Sequence, residues 1–191
     1  MNITHQQLKQ LQQQKKYALR DRAQAMLSNA ELIFFQRVKR TIDILGAGFL
    51  LIVLSPVWLT IALLIYATDK GPVFFSQTRV GRYGQTFRLW KFRSMYVDAE
   101  ARRQEVIAQA QRSGEMQDLR FKMKDDPRIT PIGKILRRLS LDELPQLINI
   151  LQGDMSLVGP RPPIPEEVQA YTFNEHKRLW VKPGLTCIWQ V

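Results

Sequence analysis

From Ile44 to Thr68 the chain carries no charged residue; it reads ILGAGFLLIVLSPVWLTIALLIYAT. No other stretch limits the fold so strongly. The hydrocarbon of a bilayer takes about 20 apolar residues in helical form, so this run is long enough to enter one. Ser55-Pro56 stands near its middle. Proline lacks the backbone N–H a helix interior needs, and its ring crowds the preceding turn, so the helix must kink or break there. Two arrangements satisfy that constraint: a spanning helix with a proline kink, or a re-entrant helix-break-helix that dips into one leaflet and returns. Arg37, Lys39 and Arg40 precede the run, and Lys70, Arg79 and Arg82 follow it. Cations gather on the cytoplasmic side of membrane segments, so basic flanks at both ends favour the re-entrant form. Ser55 is then available to bond a carbonyl released at the break.

The remaining charge follows the same geography. Of a formal net charge of +11, residues 37–95 contribute +7 and residues 128–139 a further +4, while 140–191 carry −2. Such basic segments fit phosphates, anionic lipid or nucleic acid. No nucleic-acid reader motif accompanies them, so a nucleic-acid partner is not expected. The 191 residues allow one domain with a tail, and the single cysteine, Cys187, rules out an internal disulfide and suits a reducing compartment. Residues 1–36, with their HQQLKQLQQQKK run, read as a polar tail or solvated helix without the pattern of a signal peptide.

Past the apolar run, Val73-Phe74-Phe75 and Thr86 to Phe92 are aromatic and β-branched stretches around Gly81-Arg82-Tyr83-Gly84, which predicts a β-hairpin. Its cations, Arg79, Arg82, Arg88, Lys91 and Arg93, sit among aromatics as at a membrane interface. Val97 to Arg112 reads as a polar, solvated helix followed by a loop at Ser113-Gly114. Asp125-Asp126-Pro127 has the chemistry of a turn more than of a metal site. Thr130-Pro131 opens a helix, Thr as cap and Pro in the first turn. Ile129, Ile132, Leu136 and Leu139 form its apolar stripe, with Lys134, Arg137 and Arg138 off it. That is the pattern of a short interfacial helix, and equally of one packed on a core.

Ser140-Leu141-Asp142-Glu143-Leu144-Pro145-Gln146-Leu147 follows at once. Ser140-x-x-Glu143 matches a capping box, and Leu141, Leu144, Ile148 and Leu151 give the stripe of an ordinary amphipathic helix. Pro145 is tolerated only in a first turn, which pushes the helix start towards Asp142. Asp142 and Glu143 would then stand at the positive end of the helix dipole, where ionised carboxylates and anions are favoured. An ionised Asp near a divalent cation could attack phosphorus, and Mg²⁺ is the natural ion because it takes a carboxylate or two plus substrate phosphates. Asp154 is a third carboxylate within reach in sequence. Arg161, held between prolines in Gly159-Pro160-Arg161-Pro162-Pro163, is suited to clamp a phosphate. Arg128, Arg137 and Arg138 are the further phosphate-binding candidates. These residues describe either a membrane-surface enzyme acting on phosphates or a membrane-anchored binding module.

The runs KRTIDILGAG with Ser55-Pro56, GPVFFSQTRVGRYGQTFRLWKFRSM, DDPRITPIGKILRRLSLDELPQLINIL, GDMSLVGPRPP and KPGLT resemble the bacterial sugar transferases, the monotopic phosphoglycosyl transferases that start surface-glycan synthesis. The resemblance implies an α+β, mainly helical fold: a re-entrant membrane helix-break-helix over 44–68, interfacial amphipathic helices and a small β-hairpin, within a transferase domain over 37–191. It implies a reaction at the cytoplasmic face of a bacterial inner membrane. A sugar 1-phosphate passes from a UDP-sugar to undecaprenyl phosphate, with Mg²⁺, release of UMP and a covalent aspartyl-phosphosugar intermediate, initiating exopolysaccharide, capsule or O-antigen-type glycan. Asp142 matches the nucleophile and Glu143 its partner in metal and proton handling. Ser55-Pro56 matches the membrane break, and Arg161 a Pro-Arg-Pro motif at the nucleotide end. The family pattern runs on past the LTxxWQV match, so a chain ending at Val191 is expected to be either a fragment or a shortened member. The alternative to an enzyme is then an inactive, truncated membrane-anchored binding or scaffold module. Residues 1–36 do not replace the N-terminal membrane bundle of long members, and Cys187 stands where many relatives have Gly. Neither the sugar nor the oligomeric state is written in these motifs.

Overall fold

The apolar run folds as two helices, α1 (Glu31–Val53) and α2 (Ser55–Asp69), bent by 62° at their junction. Pro56 lies in the first turn of α2, where a missing N–H removes no intrahelical bond. Ser55 Oγ donates to the Ile52 carbonyl at 2.8 Å, as expected of a hydroxyl beside a break. α2 ends at Lys70, which is left-handed (φ 53°) and returns its N–H to Tyr66 O at 2.8 Å. No single helix among the described residues is long and apolar enough to cross a membrane; the bent pair together is. This computed structural model describes residues 31–102, 104 and 126–187. The first thirty residues of the polar tail, most of the helix expected over Val97–Arg112, the Ser113-Gly114 loop and Asp125 lie outside them. The chain divides into two compact units, Met1–Ile42 and Asp43–Val191, and the second holds all that follows.

The expected hairpin forms from β1 (Phe74–Val80) and β2 (Thr86–Phe92), antiparallel, with Phe74 opposite Phe92 and Val80 opposite Thr86. Its turn places Tyr83 and Gly84 at positive φ. Successive side chains of a strand face opposite ways, so Leu89 and Phe92 serve two different cores. Leu89 joins Ala47 of α1, Leu147, Ile150 and Met155. Phe92 joins Ile61 and Ile65 of α2 and Leu136, with Trp58 and Phe74 against its ring. The Arg93 guanidinium, just past β2, is paired with Asp69 at the end of α2, a second tie between hairpin and helix. The chain after β2 bridges Met95 to Ile129 and leads into α3 (Pro131–Arg138), which opens as predicted: Thr130 Oγ1 accepts from Gly133 N at 2.9 Å.

Two expectations fail at the next helix. The Ser140 side chain caps nothing, because Ser140 is itself left-handed (φ 56°), so no capping box forms. Leu141–Glu143 make a 3-10 turn, and α4 starts only at Gln146, running Gln146–Gln152 after Pro145. The late start rotates the buried face. Leu147 and Ile150 enter the core, while Leu151 of the expected stripe is exposed. Leu139 is likewise exposed at the end of α3.

α4 is fastened to β2 by one side chain. The Asn149 carboxamide accepts from Trp90 N at 3.0 Å and donates to Arg88 O at 2.7 Å, and Asn149 is fully buried. Beyond α4, β3 (Ser156–Val158) pairs in parallel with β4 (Gly184–Thr186), a contact no motif announced. Asp43 of α1, also buried, accepts from Ser156 Oγ at 2.9 Å and Leu157 N at 3.0 Å, which fixes β3 on the helix. Two short helices, α5 (Pro165–Gln169) and α6 (Phe173–His176), carry the chain between them. Asn149→Ala leaves the Trp90 N–H and the Arg88 carbonyl, both in part-buried bonds, without these partners, which costs about 1–3 kcal/mol. Chemical unfolding in detergent should show that loss, and an unchanged midpoint would show that Asn149 does not hold α4 to β2.

Candidate active site

Three elements converge on the carboxylate pair. α3 is brought in by Thr130, whose N–H donates to Ser94 O at 3.1 Å. Gly133 makes that approach possible, since a Cβ there would lie 2.0 Å from Ser94 O. At the far end of α3 the left-handed Ser140 reverses the chain into the 3-10 turn that carries Asp142 and Glu143. From β2, Lys91 Nζ lies 2.7 Å from Glu143 Oε1 and 3.7 Å from Asp142 Oδ2. Asp142 is buried and Glu143 half-buried. Burial pushes the Asp142 carboxyl above its ordinary value, with the Glu143 charge adding to it, against the pull of Lys91 and Arg137. Asp142 is therefore a buried carboxyl that the nearby cations only partly offset.

The predicted arginines part company. Arg137 Nε donates to Ser94 Oγ at 2.9 Å, which holds its guanidinium where its charge acts on Asp142. Arg138 is exposed beside Leu139. Arg128 is buried and forks onto Asp126, with Nε–Oδ1 2.9 Å and Nη2–Oδ2 2.7 Å. Burial alone would raise Asp126, but the Arg128 hydrogen bonds hold it below its ordinary value. Asp126 thus does the work of a turn, also accepting from Arg128 N at 3.0 Å.

Arg161 is exposed on a loop pinned at the other end of the hairpin. There Pro163 O accepts from Val80 N at 2.9 Å, and Pro162 O from Arg79 Nη1 at 3.3 Å. Lys91 pairs with Phe75, five residues down the strand from Val80, or about 17 Å at a strand's rise per residue. Arg161 and the carboxylates therefore mark two ends of one face-length. Asp154 is also at the turn end: it accepts from Asn149 Nδ2 at 3.3 Å and lines a cavity of about 280 Å³ with Arg82, Tyr83 and Lys182. No cluster of three metal-type ligands exists among the described residues, so Asp142 and Glu143 stand as a pair.

From the sequence Lys91 is expected only among the interfacial cations of the hairpin, and Asn149 is not singled out. Lys91 shares the face of Leu89, and a lysine facing inward is rare without a partner. Asn149 interrupts an apolar helix face, where a polar residue must bond something.

Set beside known proteins, residues 34–191 match the family model described as bacterial sugar transferase. The chain belongs to the bacterial sugar transferase family. It is 48 % identical over 153 residues to the galactosyl transferase CpsE of Streptococcus agalactiae serotype III, a match over 80 % of this chain and 33 % of that protein. It is 42 % identical over 154 residues to the undecaprenyl-phosphate galactose phosphotransferase of Salmonella typhimurium, over 81 % of this chain and 32 % of the relative. The exopolysaccharide production protein ExoY of Sinorhizobium fredii is 42 % identical over 153 residues, 80 % of this chain and 68 % of the relative. This bacterial sugar transferase thus spans about a third of the first two and about two thirds of the last.

A carboxyl whose pKa is raised in the folded state adds stability below its unfolded value, and that contribution is lost as pH rises through the folded value. At neutral pH without divalent cation, Asp142 is therefore a burden on the fold. Asp142→Asn should raise the melting temperature at pH 7. The gap should close as pH falls below the ordinary carboxylate range. A melting series that shows the same gap at every pH would contradict the shift.

Proposed function

We propose that this bacterial sugar transferase passes a sugar 1-phosphate from a UDP-sugar to undecaprenyl phosphate, with Asp142 as nucleophile, at the cytoplasmic face of a bacterial inner membrane. The observation that carries the proposal is the adjacent Asp142–Glu143 pair, with Asp142 buried and the charges of Lys91 and Arg137 acting on it, within a domain that also carries a bent apolar helix pair. Several relatives are named for such transfers, among them the undecaprenyl-phosphate galactose phosphotransferase and the UDP-glucose:undecaprenyl-phosphate glucose-1-phosphate transferase of Escherichia coli. Exopolysaccharide or capsule initiation is the corresponding role.

In the proposed chemistry an Asp142 carboxylate oxygen attacks the β-phosphorus of the UDP-sugar. The bond from that phosphorus to the bridging oxygen breaks, UMP leaves with the electron pair, and an aspartyl phosphosugar remains. A phosphate oxygen of the lipid then attacks the same phosphorus, giving the lipid diphosphate sugar and restoring Asp142. Splitting the transfer in two spares the enzyme from binding two polyanions at once. Lys91 and Arg137 bind and orient the phosphates beside Asp142, while Arg138 and Arg161 offer further charge-assisted bonds, Arg161 towards the nucleotide end. The Arg128 guanidinium is engaged by Asp126 and serves to shape the turn before α3.

Two adjacent carboxylates fit a Mg²⁺ ion, which takes one or two such ligands and completes its shell with substrate phosphates. Glu143 and Asp142 would hold it, and when bound it supplies charge neutralisation and polarisation of the phosphoryl oxygens.

The bent pair is read as re-entrant. Its outward residues, among them Leu45, Phe49, Ile52, Leu59 and Leu63, are exposed apolar side chains suited to lipid. A segment that returns to the leaflet it entered can set the carboxylates at headgroup depth, where an insoluble acceptor and a soluble donor can both reach them.

Incubating the chain in nanodiscs with Mg²⁺, undecaprenyl phosphate and a panel of UDP-sugars should release UMP with at least one donor. Asp142→Asn should reduce release by about a thousandfold or more. Folded wild-type protein that releases no UMP with any donor would leave the binding or scaffold module as the better reading. Cysteines introduced at Lys39 and Lys70 should react with an impermeant reagent from one face of the membrane only; reaction from opposite faces would make the pair spanning.

A further inference from the structure

The cations around the carboxylates differ in how firmly they are held. Arg93 is paired with Asp69, Arg128 with Asp126, and Arg137 is tied to Ser94. Lys91 alone among the described cations touches both carboxylates, at 2.7 Å from Glu143 and 3.7 Å from Asp142, on a side chain 25 % exposed. Its backbone is fixed in β2 opposite Phe75, yet its ammonium rides on a flexible four-carbon stem. One unit of positive charge thus occupies the position between two carboxylates that a divalent ion would take.

We propose that Lys91 is the resident counter-ion of the Asp142–Glu143 pair, and that a divalent cation and a substrate phosphate together exchange for it. The cation takes the carboxylates, and the displaced Lys91 ammonium takes a phosphate oxygen. This rests on the phosphate-transfer reading of the same site, and it adds an order to the events there. Without nucleotide, Lys91 competes with the cation for Glu143; with a phosphate present, the two cease to compete and bind in concert. Lys91 is on this view a positioning residue in the free protein and a substrate ligand in the loaded one. The exchange moves no covalent bond and needs no co-reactant.

The test measures binding, using Mn²⁺ and UMP as probes on the full chain in nanodiscs. Free Mn²⁺ is counted by electron paramagnetic resonance, and folding of each variant is checked by circular dichroism. Lys91→Met should bind Mn²⁺ about tenfold more tightly than wild type without nucleotide, yet bind UMP about tenfold more weakly at saturating Mn²⁺. Lys91→Arg, which keeps the charge, should hold both affinities near wild type. Glu143→Gln should weaken Mn²⁺ binding in either background. An ion pair of purely structural value would shift both affinities the same way or neither, and either result overturns the exchange. A measurement on the wild-type chain guards against a variant that fails to fold: acylation of Lys91 by an amine-reactive reagent, followed by mass spectrometry. Mn²⁺ alone should speed that acylation, and added UMP should slow it; acylation indifferent to both overturns the proposal. These readouts do not depend on turnover, so their failure is distinguishable from a failure to release UMP.

Discussion

A two-stranded hairpin is marginal by itself, and its outer strands leave a row of backbone groups without partners. In this chain one carboxamide stands in for a missing strand. Asn149 accepts from Trp90 N and donates to Arg88 O, two residues apart on one edge of β2, as a residue of a parallel neighbour would. Because that side chain belongs to α4, the mimicry also fixes where the helix lies along β2. The turn before α4 is thereby held beside Lys91, and Leu147 and Ile150 are delivered to the core that Leu89 enters from the strand. The opposite face of β2 is closed by Phe92 against α2 and α3. Hairpin, α2 and carboxylates are thus located by a single strand.

The elements with local chemistry were legible in the sequence. Glycine in the turn gave the hairpin, Thr130-Pro131 gave the start of α3, and Ser55-Pro56 gave the break between α1 and α2. The carboxylate pair could be singled out, since adjacent acids after a basic helix are conspicuous. Its geometry could not, because the rule for a capping box assumes that Ser140 is extended, whereas the chain must reverse there and takes a left-handed φ of 56°. One misplaced helix start then rotated the expected stripe off Leu147 and Ile150. The partners Lys91 and Asn149 were illegible for a different reason: each acts across more than fifty residues of sequence, and no local pattern encodes such a distance. The parallel pairing of β3 with β4 belongs to the same class.

Net charge proved a coarse guide to binding. Some of the positive residues in the strongly basic segments are consumed inside the fold: Arg93 by Asp69 and Arg128 by Asp126, both buried and both matched to a carboxylate. Pairs of that kind are expensive to break and shape the structure around them. Of the two cations acting on the carboxylates, Arg137 is tied to Ser94, while Lys91 reaches both from the end of a flexible stem.

Gly159 and Gly184 touch through their backbones: a Cβ on Gly184 would fall 2.0 Å from Gly159 N, and one on Gly159 2.5 Å from Lys182 O. The two glycines lie in motifs separated by two helices, one carrying Arg161 and the other opening β4. Neither position has room to compensate for a side chain at the other. They therefore form one hereditary unit, in which a side chain at either position drives into the backbone of the other. Among descendants of such a chain, the loop bearing Arg161 can drift in sequence only as far as these two residues stay glycine together.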